Sequence, residues 1–170
     1  MEISQATLSD VALLVTLINS AYRGESSKKG WTTEADLLDG IRVDAEDLSE
    51  LIQKPNSIIL KCLSDAGELI GCVNLQKHGS KLYLGMLTVF PELQAQGIGK
   101  FILNESEGEA KKLNCTSIYM TVITDRTELI AWYERHGYMN TGKKKPFPMG
   151  DPRFGIAKKH LEFVVLEKKI

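Results

Sequence analysis

The hydrophobic period of the chain changes at Ser57, and this change constrains the fold more than any other feature. Before it, apolar residues recur at helical spacing. After it, residues 58–63, 69–76 and 81–90 read as three strand-like runs separated by the turn-forming stretches Asp65-Ala66-Gly67 and His78-Gly79-Ser80. Runs this close together pair as an antiparallel meander. Residues 98–113 then return to helical spacing, with Phe101, Ile102 and Ala110 toward a core, and residues 117–123 read as a buried strand. A helix between two strands implies a parallel crossover, so the sheet is expected to be mixed.

The flanks complete the pattern. A strand is expected at residues 2–6, followed by Ser9 or Asp10 as cap of a helix carrying Val11, Leu14, Val15, Ile18, Ala21 and Tyr22. Thr32 or Thr33 is expected to cap a second helical segment with Leu37, Leu38 and Ile41, and a third piece at 48–53 should end before Pro55. Downstream, Asp125 and Glu128 form a variant capping box for a helix through Arg135, which Gly137 can end in the left-handed conformation. A strand from Tyr138, a long loop through Pro146, Pro148 and Pro152, and a strand over 161–166 finish the chain. That loop exceeds the common length of about 4 to 6 residues, so a functional role is expected for it, the competing reading being an ordered surface loop stiffened by proline.

A length of 170 residues supports one sizeable core, so residues 1–170 are expected to form a single domain. With 43% hydrophobic and 25% charged residues and only 5 prolines, the chain is globular in composition rather than disordered. A net charge of −1 gives no general attraction to nucleic acid or to an anionic membrane, and neither partner is expected. Lys143-Lys144-Lys145 and Lys158-Lys159 are short and lack interleaved aromatics, so they read as solvated strand ends. Residues 1–10 lack the apolar run of a signal peptide, and no stretch has the length to span a bilayer. Cys62, Cys72 and Cys115 form no C-x-x-C pair and leave one thiol unpaired in any pairing; a reducing, cytoplasmic location is expected. His78, His136 and His160 have no ligand spacing, so no metal is expected.

The chemistry concentrates in residues 87–100, where a strand ends and a helix begins across a glycine-containing turn. Such a turn points several backbone N–H groups at one place, with the positive end of the helix dipole behind them, and suits a pyrophosphate. Two phosphate motifs fail here. A P-loop ending at Gly99-Lys100 needs glycine at 94 and Ser or Thr at 101, where the chain has Gln94 and Phe101. A dinucleotide fingerprint starting at Gly97 needs glycine at 102, which is Ile102.

Gln94, Gly97 and Gly99 instead resemble the coenzyme A loop of the GCN5-related N-acetyltransferase (GNAT) family: Gln or Arg, two residues, Gly, one residue, then Gly or Ala. A second stretch, Ala131-Trp132-Tyr133-Glu134-Arg135-His136-Gly137-Tyr138, is similar to the family's aromatic-Tyr pair followed by Gly-Phe or Gly-Tyr. The resemblance implies an α/β (mixed α+β) fold, with a mostly antiparallel twisted sheet of about six to seven strands flanked by about four helices. It also implies acetyl-CoA as co-substrate and transfer of its acetyl group to a primary amine. Its cofactor residues would be Gln94, Ala95, Gln96, Gly97, Ile98, Gly99 and Lys100, together with backbone N–H groups of Leu87 and Val89 on a splayed strand. Tyr133 would be the general acid that protonates the departing thiolate.

The acceptor, a small-molecule or peptide amine, is open on sequence alone, as is the general base. The segment corresponding to the family's substrate side carries Glu25, Trp31, Glu34 and Asp36, and the late loop adds Phe147, Arg153 and Phe154; for the three acids a solvated surface position is the competing reading. The family often has Asn where this chain reads Thr124-Asp125-Arg126-Thr127, and Arg126 is expected to be a solvated helix-start arginine, the alternative being a contact with cofactor or acidic substrate. Exposed sheet edges make a homodimer an expectation. The competing function is a non-catalytic acyl-CoA sensor or interaction domain of the same fold.

Overall fold

In the computed structural model, which describes residues 1–170, nine strands and five α-helices alternate along the chain. They are β1 Glu2–Gln5, α1 Val11–Tyr22, α2 Gly24–Ser27, β2 Leu38–Asp39, α3 Ala45–Gln53, β3 Ser57–Leu63, β4 Leu69–His78, β5 Lys81–Val89, α4 Ile98–Lys112, β6 Ser117–Ile123, α5 Thr127–Arg135, β7 Met139–Pro146, β8 Ile156–Ala157 and β9 Glu162–Lys169. Seven strands form one sheet in the order β1-β3-β4-β5-β6-β9-β7. Every neighbouring pair is antiparallel except β5 and β6, which the α4 crossover joins in parallel. The last strand, β9, inserts between β6 and β7.

The alternation of side chains along the strands divides the core into two layers. Leu14 and Ile18 of α1 and Leu48 of α3 are fully buried against Ile59, Cys72 and Met86 on one face. On the other, Ile102, Leu103 and Ala110 of α4 and Tyr133 of α5 pack on Leu75, Leu82 and Ile118. Each buried Leu or Ile contributes about 1.5–3 kcal/mol of transfer free energy, so the sheet is clamped from both sides. Of its two edges, β7 is exposed throughout and carries Lys143, Lys144 and Lys145, which discourage addition of another strand. No helix is long and apolar enough to cross a membrane.

Three local expectations are corrected. Residues 32–41 are not a helix: one turn closes at Glu34, whose carbonyl accepts from Leu37 and Leu38 at 2.9 Å, and the chain then extends into β2, which pairs with β8. Thr33 does not cap a helix; its hydroxyl accepts from the Ala35 N–H at 3.1 Å and is hydrogen-bonded to the Ser27 hydroxyl at 2.6 Å. Asp125 does not cap α5 but pairs with Lys159 at 2.6 Å. Asp10 stands at the N-cap of α1 as expected, although its carboxylate turns back to accept from the Thr7 N–H at 2.8 Å rather than bonding into the helix. Likewise, α3 ends as expected, with Lys54 extended at ψ 132° ahead of Pro55, and Gly137 follows α5 at φ +91°.

The feature that shapes the site is the separation of β5 from β6. Their parallel pairing runs only from Lys81–Ser117 to Tyr83–Tyr119. Beyond it, a bulge opposite Cys72 and Asn74 and a left-handed Met86, φ +50°, turn β5 away while β6 continues beside β9 to Ile123.

Candidate active site

Phe90 donates to the Ile70 carbonyl at 2.9 Å, so by antiparallel alternation the next inward-facing residue is Thr88, and Val89 turns its N–H and C=O into the gap beside β6. The Val89 carbonyl accepts from the Gln94 amide at 3.1 Å. Leu87, one residue pair earlier, has its carbonyl held by the Tyr22 hydroxyl at 2.8 Å.

The turn after β5 ends at Gly97, which precedes α4 at φ +86° with open space where a Cβ would stand. The first helical hydrogen bond is Phe101 N–H to Gly97 C=O, at 3.0 Å. The N–H groups of Ile98, Gly99 and Lys100 therefore have no partner in the helix and are aimed outward from its positive end. They face a cavity of about 490 Å³ lined by Leu87, Val89, Gln94, Ala95, Gly97, Gly99, Lys100, Trp31 and Tyr133 among others. Its charged lining is Lys100, Arg126 and Arg135 against Glu128 alone, a surplus of positive charge that suits an anionic ligand. Trp132 closes down on Gly99, where an added Cβ would lie 3.4 Å from the indole.

A second cavity of about 200 Å³ lies in the gap itself, between Leu84 to Leu87 of β5 and Met120 to Ile123 of β6. Glu34 and Phe147 line it, with Arg23, Arg42 and Phe154. The two cavities share Tyr22, Leu87, Arg126, Leu129 and Tyr133 as a common wall. Tyr133 is 5% exposed. Burial, the largest influence, raises its phenol well above the ordinary value, so it stays protonated through neutral pH and is available as a donor.

The sequence residues divide accordingly. Gln96 is exposed and Ile98 is in the core, so neither side chain lines the first cavity. Gln94 lines it, but its amide is committed to the protein: Oε1 accepts from Trp31 N–H at 2.8 Å and Thr32 N–H at 3.3 Å, and Nε2 donates to the Thr32 hydroxyl at 2.8 Å. A Cβ on Gly30 would fall 2.3 Å from that oxygen, so only glycine allows the approach. Gln94 thus pins the Trp31 segment over the strand end, bringing Trp31 to 6.3 Å from Trp132. Glu25 lies on the surface paired with Lys28 at 2.8 Å and lines neither cavity, and Asp36 is also exposed.

Arg126 is not solvated. Its side chain is 10% exposed, it pairs with Glu34 at 3.0 Å, donates to the Thr32 carbonyl, and lies over the Tyr22 ring at 5.8 Å. Glu34 also holds Arg23 at 3.2 Å, making a buried Arg-Glu-Arg triad on the shared wall. Burial pulls the Arg23 guanidinium below its ordinary value and Glu34 opposes that shift. Reading the sequence by local pattern missed Tyr22, Arg23, Arg42 and Thr32, because their partners are far away in the chain. No group of three or more His, Cys, Asp or Glu is arranged to hold a metal ion.

Tyr22 gives a pH signature. Burial pushes its phenol up to about 12 from the ordinary 10. Because the folded value is raised, the stabilisation from the neutral phenol is complete below pH 10 and is lost as pH rises from about 10 to about 12. Between about pH 9 and pH 11.5 the wild type should lose about 2 kcal/mol more unfolding free energy than Tyr22→Phe, read from urea titrations. Equal losses in the two proteins would show that Tyr22 is not buried as described.

The Acetyltransferase (GNAT) family matches residues 17–138, which include both cavities' shared wall. Among curated proteins, the uncharacterized protein YdhI of Bacillus subtilis is 28% identical over 76 residues; that match spans 45% of this chain and 46% of YdhI, about half the relative's length. Among solved structures, the ribosomal-protein-alanine N-acetyltransferase of Brucella melitensis superposes with a TM-score of 0.74 at 18% identity, covering 100% of both chains. The PaiA N-acetyltransferase of Thermoplasma acidophilum, solved in complex with coenzyme A, gives 0.72 at 20% identity, covering 99% of this chain and 98% of its own. At such identities the likeness is one of fold. With the family matched over residues 17–138 on that fold, this chain belongs to the GNAT family of acetyltransferases.

Proposed function

We propose that the protein transfers the acetyl group of acetyl-CoA to the primary amine of a small acceptor, by direct attack of the amine on the thioester. The observation that carries this reading is Tyr133, which lines both cavities at the point where β5 leaves β6. A thioester lying in the larger cavity and an amine in the smaller would meet there.

The residues present fit acetyl-CoA. The outward N–H groups of Ile98, Gly99 and Lys100, the open Cβ position of Gly97 and the Lys100 and Arg135 charges suit its pyrophosphate. The N–H that Val89 turns into the gap suits its pantetheine amides and carbonyl. In the reaction a C–N bond forms to the carbonyl carbon, the C–S bond breaks, and the proton released by the amine leaves through water in the cavity. Tyr133 donates a hydrogen bond to the departing sulfur; a neutral phenol is a stabilising partner for a thiolate, whose reference pKa is about 8.5. Both Glu34 oxygens are engaged by arginines, so Glu34 acts as a structural bridge rather than a base. Buried free thiols at Cys62, Cys72 and Cys115 accord with a cytoplasmic setting.

Calorimetry with three proteins tests the cofactor site. Wild type should bind acetyl-CoA with a micromolar Kd. Gly97→Ala carries the backbone strain of a side chain at positive φ without a charge, whereas Gly97→Glu adds a carboxylate facing the same space. The Glu variant should bind at least about tenfold more weakly than the Ala variant, from like-charge repulsion of the pyrophosphate. A folded wild type that binds no acetyl-CoA would remove the assignment, and binding without acetyl transfer to any amine would make the chain a sensor.

A further inference from the structure

The smaller cavity carries more positive charge than its one acid can balance. Arg23, Arg42 and Arg126 line it, and Glu34 is the only carboxylate. That carboxylate is divided between Arg23 and Arg126, at 3.2 and 3.0 Å. Arg42 is left with no acidic partner and lies with its guanidinium over the Tyr22 ring, 5.6 Å from the centroid.

The backbone that carries Arg42 is pinned to α1. Asn19 of α1 accepts from the Arg42 N–H at 2.7 Å and the Val43 N–H at 3.1 Å, and donates to the Val43 carbonyl at 2.8 Å. The side chain is half-buried, so its charge acts in a medium less polar than water. The lining also includes the apolar side chains of Met120, Phe147, Phe154 and Phe163.

Resting on the assignment of the fold to acetyl-CoA-dependent N-acetylation, we infer that the acceptor is a carboxylate-bearing primary amine of amino-acid size, and that Arg42 takes the carboxylate. A guanidinium matches a carboxylate with two parallel N–H···O bonds, and such charged bonds are roughly twice as strong as neutral ones. The same cationic lining disfavours an ammonium ion and so favours the neutral amine, which is the nucleophile. A bare alkylamine or a polyamine brings no anion to offset the surplus and is repelled in its charged form. A volume of about 200 Å³ lies below the usual range for drug-sized ligands and suits a group of amino-acid size.

Matched pairs test the inference: phenylalanine against phenylethylamine, and leucine against 3-methylbutylamine, each followed by acetyl-CoA-dependent release of free thiol. The amino acid should be preferred at least about tenfold in kcat/KM, the margin expected of one charged bidentate contact. Arg42→Gln should bring that ratio close to one, and Arg42→Lys should leave an intermediate ratio, with acetyl-CoA affinity unchanged in both because Arg42 lines only the smaller cavity. A purely structural role would lower both members of a pair together and leave the ratio where it was, which would overturn the inference. So would equal or better turnover of the decarboxylated amines. If acetyl-CoA binds but no member of either pair reacts, the acceptor inference falls alone. If acetyl-CoA does not bind, the functional assignment beneath it falls too.

Discussion

Tyr133→Phe is expected to lower kcat on the order of 10²-fold, the loss that follows removal of one hydrogen-bond donor to developing negative charge, while acetyl-CoA still binds and the fold is kept. The ring is packed edge-on between Trp132, at 5.0 Å, and Tyr138, at 5.8 Å, and phenylalanine fills the same space. The Tyr133 hydroxyl sits on the cavity wall with no protein partner, so its removal strands no donor or acceptor and should change stability by less than about 1 kcal/mol. The loss therefore belongs to the chemical step, and single-turnover kinetics should show it in the acetyl-transfer rate. The pH profile adds a second check. Because burial raises the phenol well above 10, ionisation of Tyr133 should not reduce the wild-type rate below about pH 10. Full turnover in Tyr133→Phe where chemistry limits the rate would end the donor role.

Much of the frame is legible in the sequence because its causes are local. The strand runs after Ser57, the helix at 98–113 and the parallel crossover follow from hydrophobic period and turn residues within short windows, and all three stand in the structure. The turn at Gly97 and the stop at Gly137 follow from glycine at positions of positive φ. The failures share a different cause. Residues 32–41 carry apolar side chains at helical intervals, yet beyond the single turn at Glu34 they bond to Gln94, to Arg126 and to β8, which lie some sixty to over one hundred residues away. Arg126 reads as solvated because nothing near it in sequence reveals Glu34, 92 positions earlier. The insertion of β9 between β6 and β7 is likewise a matter of tertiary pairing, invisible to periodicity.

The same division explains why cofactor and acceptor sites differ in legibility. The larger cavity draws most of its lining from two continuous stretches, the strand-turn-helix unit of residues 87–100 and the α5 segment from Arg126 to Arg135, so each part stands together in the sequence as a motif, and only Tyr22, Trp31 and Thr32 join from further away. The smaller one is assembled from the end of α1, the segments around Glu34 and Arg42, two separating strands and the loop at Phe147 to Phe154. A site assembled in this way carries no local motif, and the fold alone does not name its acceptor.

Glu34→Ala is expected to destabilise the protein by about 3–5 kcal/mol, because two buried guanidinium groups lose their common counter-ion. The side chains of Arg23, Glu34 and Arg126 are only 5%, 7% and 10% exposed. An exposed pair would be worth under about 1 kcal/mol, so the size of the loss reports on burial. After the substitution Arg23 keeps only the Ile41 and Phe154 carbonyls and Arg126 only that of Thr32, none of which carries a full charge. In a chain of this size the loss corresponds to a fall in melting temperature of roughly 10 °C. Glu34→Gln, which keeps an acceptor oxygen in the same place, should lose less. The triple change Arg23→Met, Glu34→Leu, Arg126→Met should recover most of the stability, since it removes the stranded charges together with their partner. That triple protein also lacks two of the three arginines lining the smaller cavity. A loss below about 1 kcal/mol in Glu34→Ala would mean that water reaches the triad, and the wall between the two cavities would then be open.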